Sequence, residues 1–450
     1  MTVNEAPAAR LSVRQAAFIG VGAMVGAGIF ALLGAAGEVA GAAVWLSFLI
    51  AGAVAVLQGY SFAKFGARYP SAGGLLEYVV RGFGNGHVTG IVAWLLLAAN
   101  AIITAMVAVS FGSYASAAFA DGGAGWTKAF AVLVVLLMTA LNILGSQAVA
   151  RAQTIVVVVV VGILTVFAVA TLSNLDPSLL AFSGYPSLRA VVSSVALTFF
   201  AFLGFGVITF TAKDLADPAR QLPRAVYLAL GIATVVYVAV AVGVFGTLTV
   251  DEVVDSGGTA LAVAAQPVLG DAGYWLMSVT ALFATAGATN SGLYPAAGLC
   301  EHMASTGQFP PALGRRIRNR APAGILLTAA VAIALSVGFA LTAIASIGSA
   351  VALIVFALVS TGHLRVRGET GAKTWLLVLA VGSAVIVLVT FAFTTLVEEP
   401  ATAVTLVAIL LVSVALDLVW KRRRPERPAP APDAPDGPVH APEGPRPVTP

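Results

Sequence analysis

Charge is what this chain has least of. Only 10% of its 450 residues are Asp, Glu, Lys or Arg, against roughly 25% in a soluble domain, so most of its length cannot form a solvated surface. A single cysteine, Cys300, excludes an intrachain disulfide and reads as a small apolar filler near the end of an apolar run. The four histidines, His87, His302, His363 and His440, show no metal-ligand spacing. No pair of His, Cys or carboxylate residues clusters inside the apolar runs, so the nucleophile–base or metal constellation of an intramembrane enzyme is missing. The chain therefore reads as a non-enzyme with no cofactor. No cleavable signal is visible, because the first apolar run is too long and too rich in glycine for an h-region.

What the chain has in quantity is apolar residues, 59% of the total. They fall in twelve runs of about 20 residues, each able to cross about 30 Å of hydrocarbon: 15–37, 40–62, 88–119, 127–147, 153–174, 190–212, 225–248, 273–300, 323–341, 343–362, 374–396 and 401–420. This pattern predicts an all-α polytopic membrane protein with twelve transmembrane helices. The runs at 88–119 and 273–300 are long, which predicts tilt or an extramembrane turn. With the N-terminus placed in the cytoplasm, the loops on the cytoplasmic side hold all of the 24 Lys and Arg residues except Lys128 and Arg189, a strong positive-inside bias. Glu38, Asp121, Asp176, Asp251, Glu252, Asp255, Asp271, Glu398 and Glu399 fall on the other side. The net charge of +4 then reflects orientation in the cytoplasmic membrane, with both termini inside, and not a nucleic-acid partner. Arg315, Arg316, Arg318 and Arg320 read as a topology anchor against anionic lipid. Residues 421–450 read as a disordered Pro-rich cytoplasmic tail.

Glycine placement carries the functional argument. Gly22, Gly26 and Gly28 lie mid-run in Gly22-Ala-Met-Val-Gly26-Ala-Gly28-Ile-Phe30, each weakening a helix by about 1 kcal/mol relative to alanine. A membrane helix must satisfy its backbone internally. A weak point at mid-membrane therefore suggests a helix that opens to offer bare N–H and C=O groups to a solute. The sixth run, Phe199-Phe-Ala-Phe-Leu-Gly204-Phe-Gly206-Val-Ile-Thr-Phe-Thr211, repeats the feature. First and sixth runs are partners if the first ten helices form two five-helix repeats of opposite topology, 14–174 and 190–366, preceded by a cytoplasmic segment 1–13 and followed by two helices over 373–420. The alternative is that the glycines only allow close helix packing.

Three stretches together resemble the amino acid–polyamine–organocation (APC) superfamily of permeases. Gly22 to Phe30 is similar to its glycine-rich first helix ending Gly-Ile-Phe. Arg68-Tyr-Pro70-Ser-Ala-Gly73-Gly74 resembles its signature after helix two. Asp214-Leu-Ala-Asp217-Pro218-Ala-Arg220-Gln-Leu-Pro223-Arg224-Ala resembles its loop after helix six. Order and spacing agree across residues 14–365. The resemblance implies the leucine-transporter fold, a 5+5 inverted repeat with helices one and six unwound and two further C-terminal helices, and substrates that are amino acids or related amines.

Within that frame, the half-helix after Gly26 exposes N–H groups and a positive dipole end, a seat for a carboxylate, with Gly26, Ala27 and Gly28 small enough to permit approach. Carbonyls at Met24, Phe202 and Leu203 suit the ammonium group. By resemblance, Phe200 is an aromatic gate, and Gly206 leaves room for the substrate side chain. A pocket of Met24, Phe200, Leu203 and Phe205 favours neutral or apolar side chains. The chain departs from the family where a frequent lysine of helix five would stand, near Val160, inside the wholly apolar Ile155–Val161; Gly206, Lys213 and Lys64 stand where acids are frequent. A lysine-based coupling mechanism is therefore not expected. Sodium, a hard cation that prefers oxygen ligands, has candidate ligands in Thr285, Thr289 and Ser291; proton, sodium or no coupling ion stay open. The sequence thus predicts a secondary transporter of a small neutral amino acid working by alternating access, embedded in a lipid bilayer. The alternatives are a carrier of another small amine or organic solute, or a non-transporting amino-acid sensor.

Overall fold

The computed structural model describes residues 11–71, 74–144, 147–317, 321–394, 397 and 400–423; the expected tail beyond Arg423, the segment 1–10, Gly73, Arg318 and Arg320 lie outside these. The chain is nearly all helical. Ser12 caps α1 (Val13–Ala27) reciprocally with Gln15, whose N–H donates to the Ser12 hydroxyl while its side-chain oxygen accepts from the Ser12 N–H. α2 (Ile29–Ala40) begins one residue after α1 ends. The interruption is a kink at Gly28, with φ −109° and ψ −65°, and the Gly28 N–H still reaches the Met24 carbonyl at 3.1 Å. It is narrower than an opening across the whole Gly22–Gly28 stretch.

α3 (Val44–Arg68) is followed by the short α4 (Leu75–Phe83), which Gly74 enters at φ +54°, a conformation that favours glycine. α5 (His87–Phe119), α6 (Ala124–Leu144) and α7 (Gln147–Ser173) complete the first half. The sixth apolar run begins as α8 (Leu188–Thr198) and then tightens into a 3₁₀ helix over Phe199–Asp214, 16 residues long, where runs beyond three or four are uncommon. Side chains bind its carbonyls. The Thr209 hydroxyl donates to Gly206 O at 2.7 Å, Thr211 to Ile208 O at 2.7 Å and Tyr237 to Ala201 O at 3.0 Å. The Asp217-Pro218 pair after it starts α9 (Pro218–Phe245): Asp217 is the N-cap, accepting from the Arg220 N–H, and Pro218 holds the first position, where no N–H is needed.

α10 (Val250–Ser256) is a short helix. α11 (Ala260–Ser305) starts earlier than the expected 273–300, bends at Gly270 (φ +68°) and runs unbroken through Pro295. A small turn of helix α12 (Pro311–Gly314) and the antiparallel pair β1 (Arg316–Ile317) and β2 (Ala321–Pro322) lead into α13 (Gly324–Gly338). α14 (Leu341–Thr370), α15 (Thr374–Phe393) and α16 (Pro400–Arg423) follow. Among the described residues, nine helical stretches are long and apolar enough to cross a membrane, and Val13–Gly26 and Gly324–Gly338 are shorter apolar helices. The protein is a polytopic membrane protein.

Two packed groups emerge. α1, α3, the 3₁₀ helix and α9 lie against one another, and α5, α6, α11 and α13 form a second set. Outward faces are apolar, as Leu133 and Leu137 on α6, Val158 and Val166 on α7, Ile386 on α15 and Leu411 on α16 show. One end of the bundle, here the basic end, carries Arg68, Arg81, Arg220, Arg365 and Lys421; the opposite, acidic end carries Asp176, Asp251 and Glu252. A buried polar network ties α3 to α14 and α15. The Ser61 hydroxyl lies 2.9 Å from His363 Nδ1, Ser360 donates to Gln58 Oε1 at 3.1 Å, and Gln58 Nε2 donates to Ala380 O at 2.7 Å. Satisfied networks of this kind fix helix register.

Candidate functional site

The two irregular helices touch at backbone distance. A Cβ on Gly28 would overlap the Ala201 side chain and lie 2.5 Å from Ala201 Cα, and one on Gly204 would lie 2.5 Å from the Met24 backbone nitrogen. Glycine at both places is what lets α1 and the 3₁₀ helix interlock. The other glycines of the first stretch serve packing too: a Cβ on Gly26 would sit 2.5 Å from Ala284 O of α11, and one on Gly22 would overlap Val157 of α7. Both readings of the glycines therefore meet in one place, an interruption at Gly28 and close packing at Gly22 and Gly26.

Directly beside this contact lies a cavity of about 80 Å³. One buried water needs about 10–15 Å³ on that measure, so the space holds several waters or one small solute. Ala23, Leu203, Gly204 and Gly206 form the wall given by the irregular helices; Leu75 and Leu76 of α4 and Val207 and Phe210 close it toward the basic end; Asn100 of α5 and Ser291 of α11 are its polar side chains. Asn100 Nδ2 donates to Leu96 O at 2.8 Å within its own helix. Among the described residues, no Asp, Glu, Lys or Arg lines it.

Of the residues singled out from the sequence, Leu203 and Gly206 line this cavity. Met24 is fully buried beside Gly204. Phe200 is packed between Gly348 of α14 and the neighbourhood of Ile102 of α5, and Phe202 lies edge-on to Tyr237, ring centroids 5.2 Å apart; neither lines the cavity. Ala27 closes α1, its side chain lying outside the description. Gly26 and Gly28 sit at the α1 contacts described above. Among the sodium candidates, the Thr285 hydroxyl donates to Ala281 O at 2.6 Å and Thr289 to Thr285 O at 2.9 Å, both within α11, while Ser291 reaches the cavity and donates to Gly287 O at 3.2 Å.

A second, smaller cavity of about 20 Å³ separates α1 from α7 and α11, lined by Gly22, Val25, Gly26, Val156, Val157, Val160, Ala284, Gly287 and Ala288. Val160 is where the sequence places the missing lysine, and among the described residues the side chains lining this cavity carry no oxygen or nitrogen. Reasoning from sequence passed over Val207, Phe210 and the α4 residues Leu75 and Leu76. The signal for the latter was present, since they follow Gly74 of the Arg-Tyr-Pro stretch; the polar mid-run Asn100 was visible as well. Asn142 bonds between helices, its Nδ2 donating to Asn290 Oδ1 at 2.6 Å, whereas Asn100 donates within α5.

Residues 11–416 match the amino acid permease family. The inner membrane transport protein YbaT of Escherichia coli is 32% identical over 408 residues, 90% of this chain and 95% of that protein. An uncharacterized protein of Methanocaldococcus jannaschii is 32% identical over 369 residues, 81% of this chain and 84% of that one. The branched-chain amino acid permease BcaP of Bacillus subtilis is 26% identical over 253 residues, 51% of this chain and 53% of that one. The chain belongs to the amino acid permease family, and it is a membrane transporter, not an enzyme.

Proposed function

We propose that this member of the amino acid permease family moves a small neutral amino acid with an apolar side chain across the cytoplasmic membrane, by alternating access through the cavity at Leu203 and Gly206. The observation that carries this reading is the cavity itself: a small space at the meeting point of two irregular helices, walled by leucine, valine and phenylalanine and without a formal charge. An apolar wall favours an apolar side chain, while a cationic or acidic one would be desolvated there without a partner. The substrate carboxylate then faces the N-terminal end of α2 past Gly28, and its ammonium faces carbonyls near Met24, Phe202 and Leu203. The name of the B. subtilis relative, a branched-chain amino acid permease, agrees with such a substrate.

In this reading the helices form twelve spans in a 5+5 inverted repeat with two further helices, and both termini are cytoplasmic, as the positive-inside bias supports. The group of α1, α3, the 3₁₀ helix and α9 rocks against α5, α6, α11 and α13. The apolar lining of the second cavity around Val160 supports exchange or facilitated diffusion over ion-driven uptake, because an intramembrane ionisable side chain is the usual element of a proton relay. Counterflow of radiolabelled leucine, alanine and lysine in proteoliposomes, with and without imposed proton and sodium gradients, tests it. Leucine or alanine counterflow indifferent to both gradients is expected. Accumulation driven by one gradient would overturn the uncoupled mode, and binding or flux confined to lysine would overturn the substrate class.

A further inference from the structure

At the basic end of the cavity, the turn after α11 is held in place by two tryptophans from different helices. Gly307 makes the turn possible at φ +74°, and the Phe309 N–H closes it onto Met303 O at 3.0 Å. Phe309 is fully buried and stacks on Trp94 of α5, ring centroids 4.1 Å apart and planes 29° from parallel. The two rings share one apolar cluster with Leu76 and Leu299, which also line the cavity. Through Leu76 and Leu299 the turn is packed against the back of the cavity wall at its basic end, without lining the cavity itself.

Trp420 secures that turn from outside. Its Nε1 donates to Gly307 O at 3.0 Å. Three residues earlier on α16, Asp417 is fully buried and pairs with His87 Nδ1 at 2.6 Å and Lys421 Nζ at 3.0 Å. Glycine at position 90 of α5 makes the space, since a Cβ there would overlap the Asp417 carboxylate. Much of α16 is apolar and exposed, and these polar contacts attach its last turns, bridging the start of α5 and the end of α11.

The closed turn also leaves polar atoms unmatched. Among the described residues, Trp94 Nε1 and Gln308 Oε1 are buried without hydrogen-bond partners. An unpaired buried donor and acceptor favour any arrangement that admits water or brings them together. A cover that is pinned by side chains yet carries this cost is one that can open.

We propose that the 306–310 turn is the cover over the basic end of the cavity, and that Trp420 is a positioning residue that sets how often it opens, making α16 a part of the transport cycle. The proposal rests on the cavity being the transport path. The chain carries its own reporter, because the single cysteine, Cys300, is fully buried in the same cluster as Trp94 and Phe309.

The test is the rate at which N-ethylmaleimide labels Cys300 in the full-length protein in proteoliposomes, with transport measured on the same samples. Trp420→Phe keeps the ring and removes the donor; it is expected to label about ten-fold faster, the population shift that loss of one net hydrogen bond of about 1.4 kcal/mol produces. Phe309→Ala is expected to label faster still. Trp126→Phe, on the exposed face of α6, controls for tryptophan loss and is expected to label and transport as the parent does. In Trp420→Phe, maximal counterflow rate changes while KM holds, a split that a general loss of folded protein would not give. Unchanged labelling in Trp420→Phe, or equal acceleration in Trp126→Phe, would overturn the proposal. Faster labelling with no counterflow of any amino acid in the parent would leave the cover standing and overturn the transport reading instead.

Discussion

The Tyr114 hydroxyl donates to the Phe30 carbonyl at 3.3 Å, and the two rings meet edge to face with centroids 6.2 Å apart. This contact bridges α5 and α2 on the acidic side of the Gly28 kink. It joins α5 of the second packed group to the helix that continues α1 past the Gly28 kink. Nearby, a Cβ on Gly34 of α2 would lie 2.5 Å from Gly257 O in the turn after α10. These contacts lie on the acidic side of the kink, while the cavity takes part of its wall from Leu75, Leu76 and Phe210 toward the basic end. Tyr114→Phe is expected to raise the population open at the acidic end several-fold, by loss of about 1 kcal/mol. Accessibility of a cysteine introduced at Ser113, measured with a membrane-impermeant maleimide, checks this; unchanged accessibility would count against the contact as a latch.

Gly28 leaves no room for a side chain. Because a Cβ there overlaps Ala201, Gly28→Ala has to push the two irregular helices apart, a strain of about 1–3 kcal/mol. Counterflow is expected to fall at least about ten-fold while the protein still reaches the membrane as a monodisperse species. Gly28→Leu is expected to abolish uptake. Wild-type activity in either variant would remove the α1–3₁₀ contact from the mechanism.

Gly206 is a different kind of glycine. A Cβ there would lie 3.4 Å from Leu75 Cδ1, an ordinary contact at the edge of the cavity. Gly206→Ala is expected to leave thermal stability unchanged and to raise KM for leucine more than for alanine, because it subtracts volume from the side-chain end of the cavity. Equal effects on the two substrates would place the side chain elsewhere.

Tyr237 is the donor that the 3₁₀ helix depends on at Ala201. Tyr237→Phe removes the side-chain bond to a buried carbonyl inside the 3₁₀ helix, costing about 0.5–1.5 kcal/mol. A lower melting temperature in detergent, with weakened counterflow, is the expected result; an unchanged melting temperature would show that the 3₁₀ conformation does not need this bond.

Glu252 outside the membrane supplies a pH prediction. Hydrogen bonds from the Thr249 N–H and hydroxyl hold its carboxylate below the ordinary value of 4.5. A folded-state pKa below the unfolded one means the cap of α10 contributes fully at neutral pH and is lost as pH falls through the carboxylate range. Amide exchange across 249–256 is expected to accelerate on lowering the pH below about 4.5, after correction for intrinsic rates, and Glu252→Gln is expected to flatten that dependence.

Much of the architecture was legible in the sequence because the bilayer leaves few choices. Apolar runs must become helices, and the basic residues mark one end. The glycine clusters marked both irregular helices, whereas Asp217-Pro218, read as part of a loop with the next run at 225–248, opens α9. The details of the site were not legible in the same way. Phe200 and Phe202 sit in a glycine-flanked aromatic stretch that suggests a pocket, but a 3₁₀ helix turns three residues per turn instead of 3.6, so the facing of each side chain shifts along its length. Leu203 and Gly206, three apart, fall on the cavity side, while Phe202 turns toward Tyr237. Likewise, hydroxyls at Thr285 and Thr289 could have faced a cation or their own helix, and spacing along one strand of sequence does not separate the two.

The sequence by itself determined that this protein is a helical membrane protein, and where its helices weaken, because hydropathy and glycine content act locally; three motif stretches gave its resemblance to a permease family. Tertiary structure alone decided that Gly28 meets Ala201, that the cavity takes its walls from α4, α5 and α11 as well, and that Asp417 and Trp420 fasten α16 to the turn over its basic end. Those outcomes depend on helix rotation and on contacts between residues hundreds of positions apart, which the linear order of side chains does not encode.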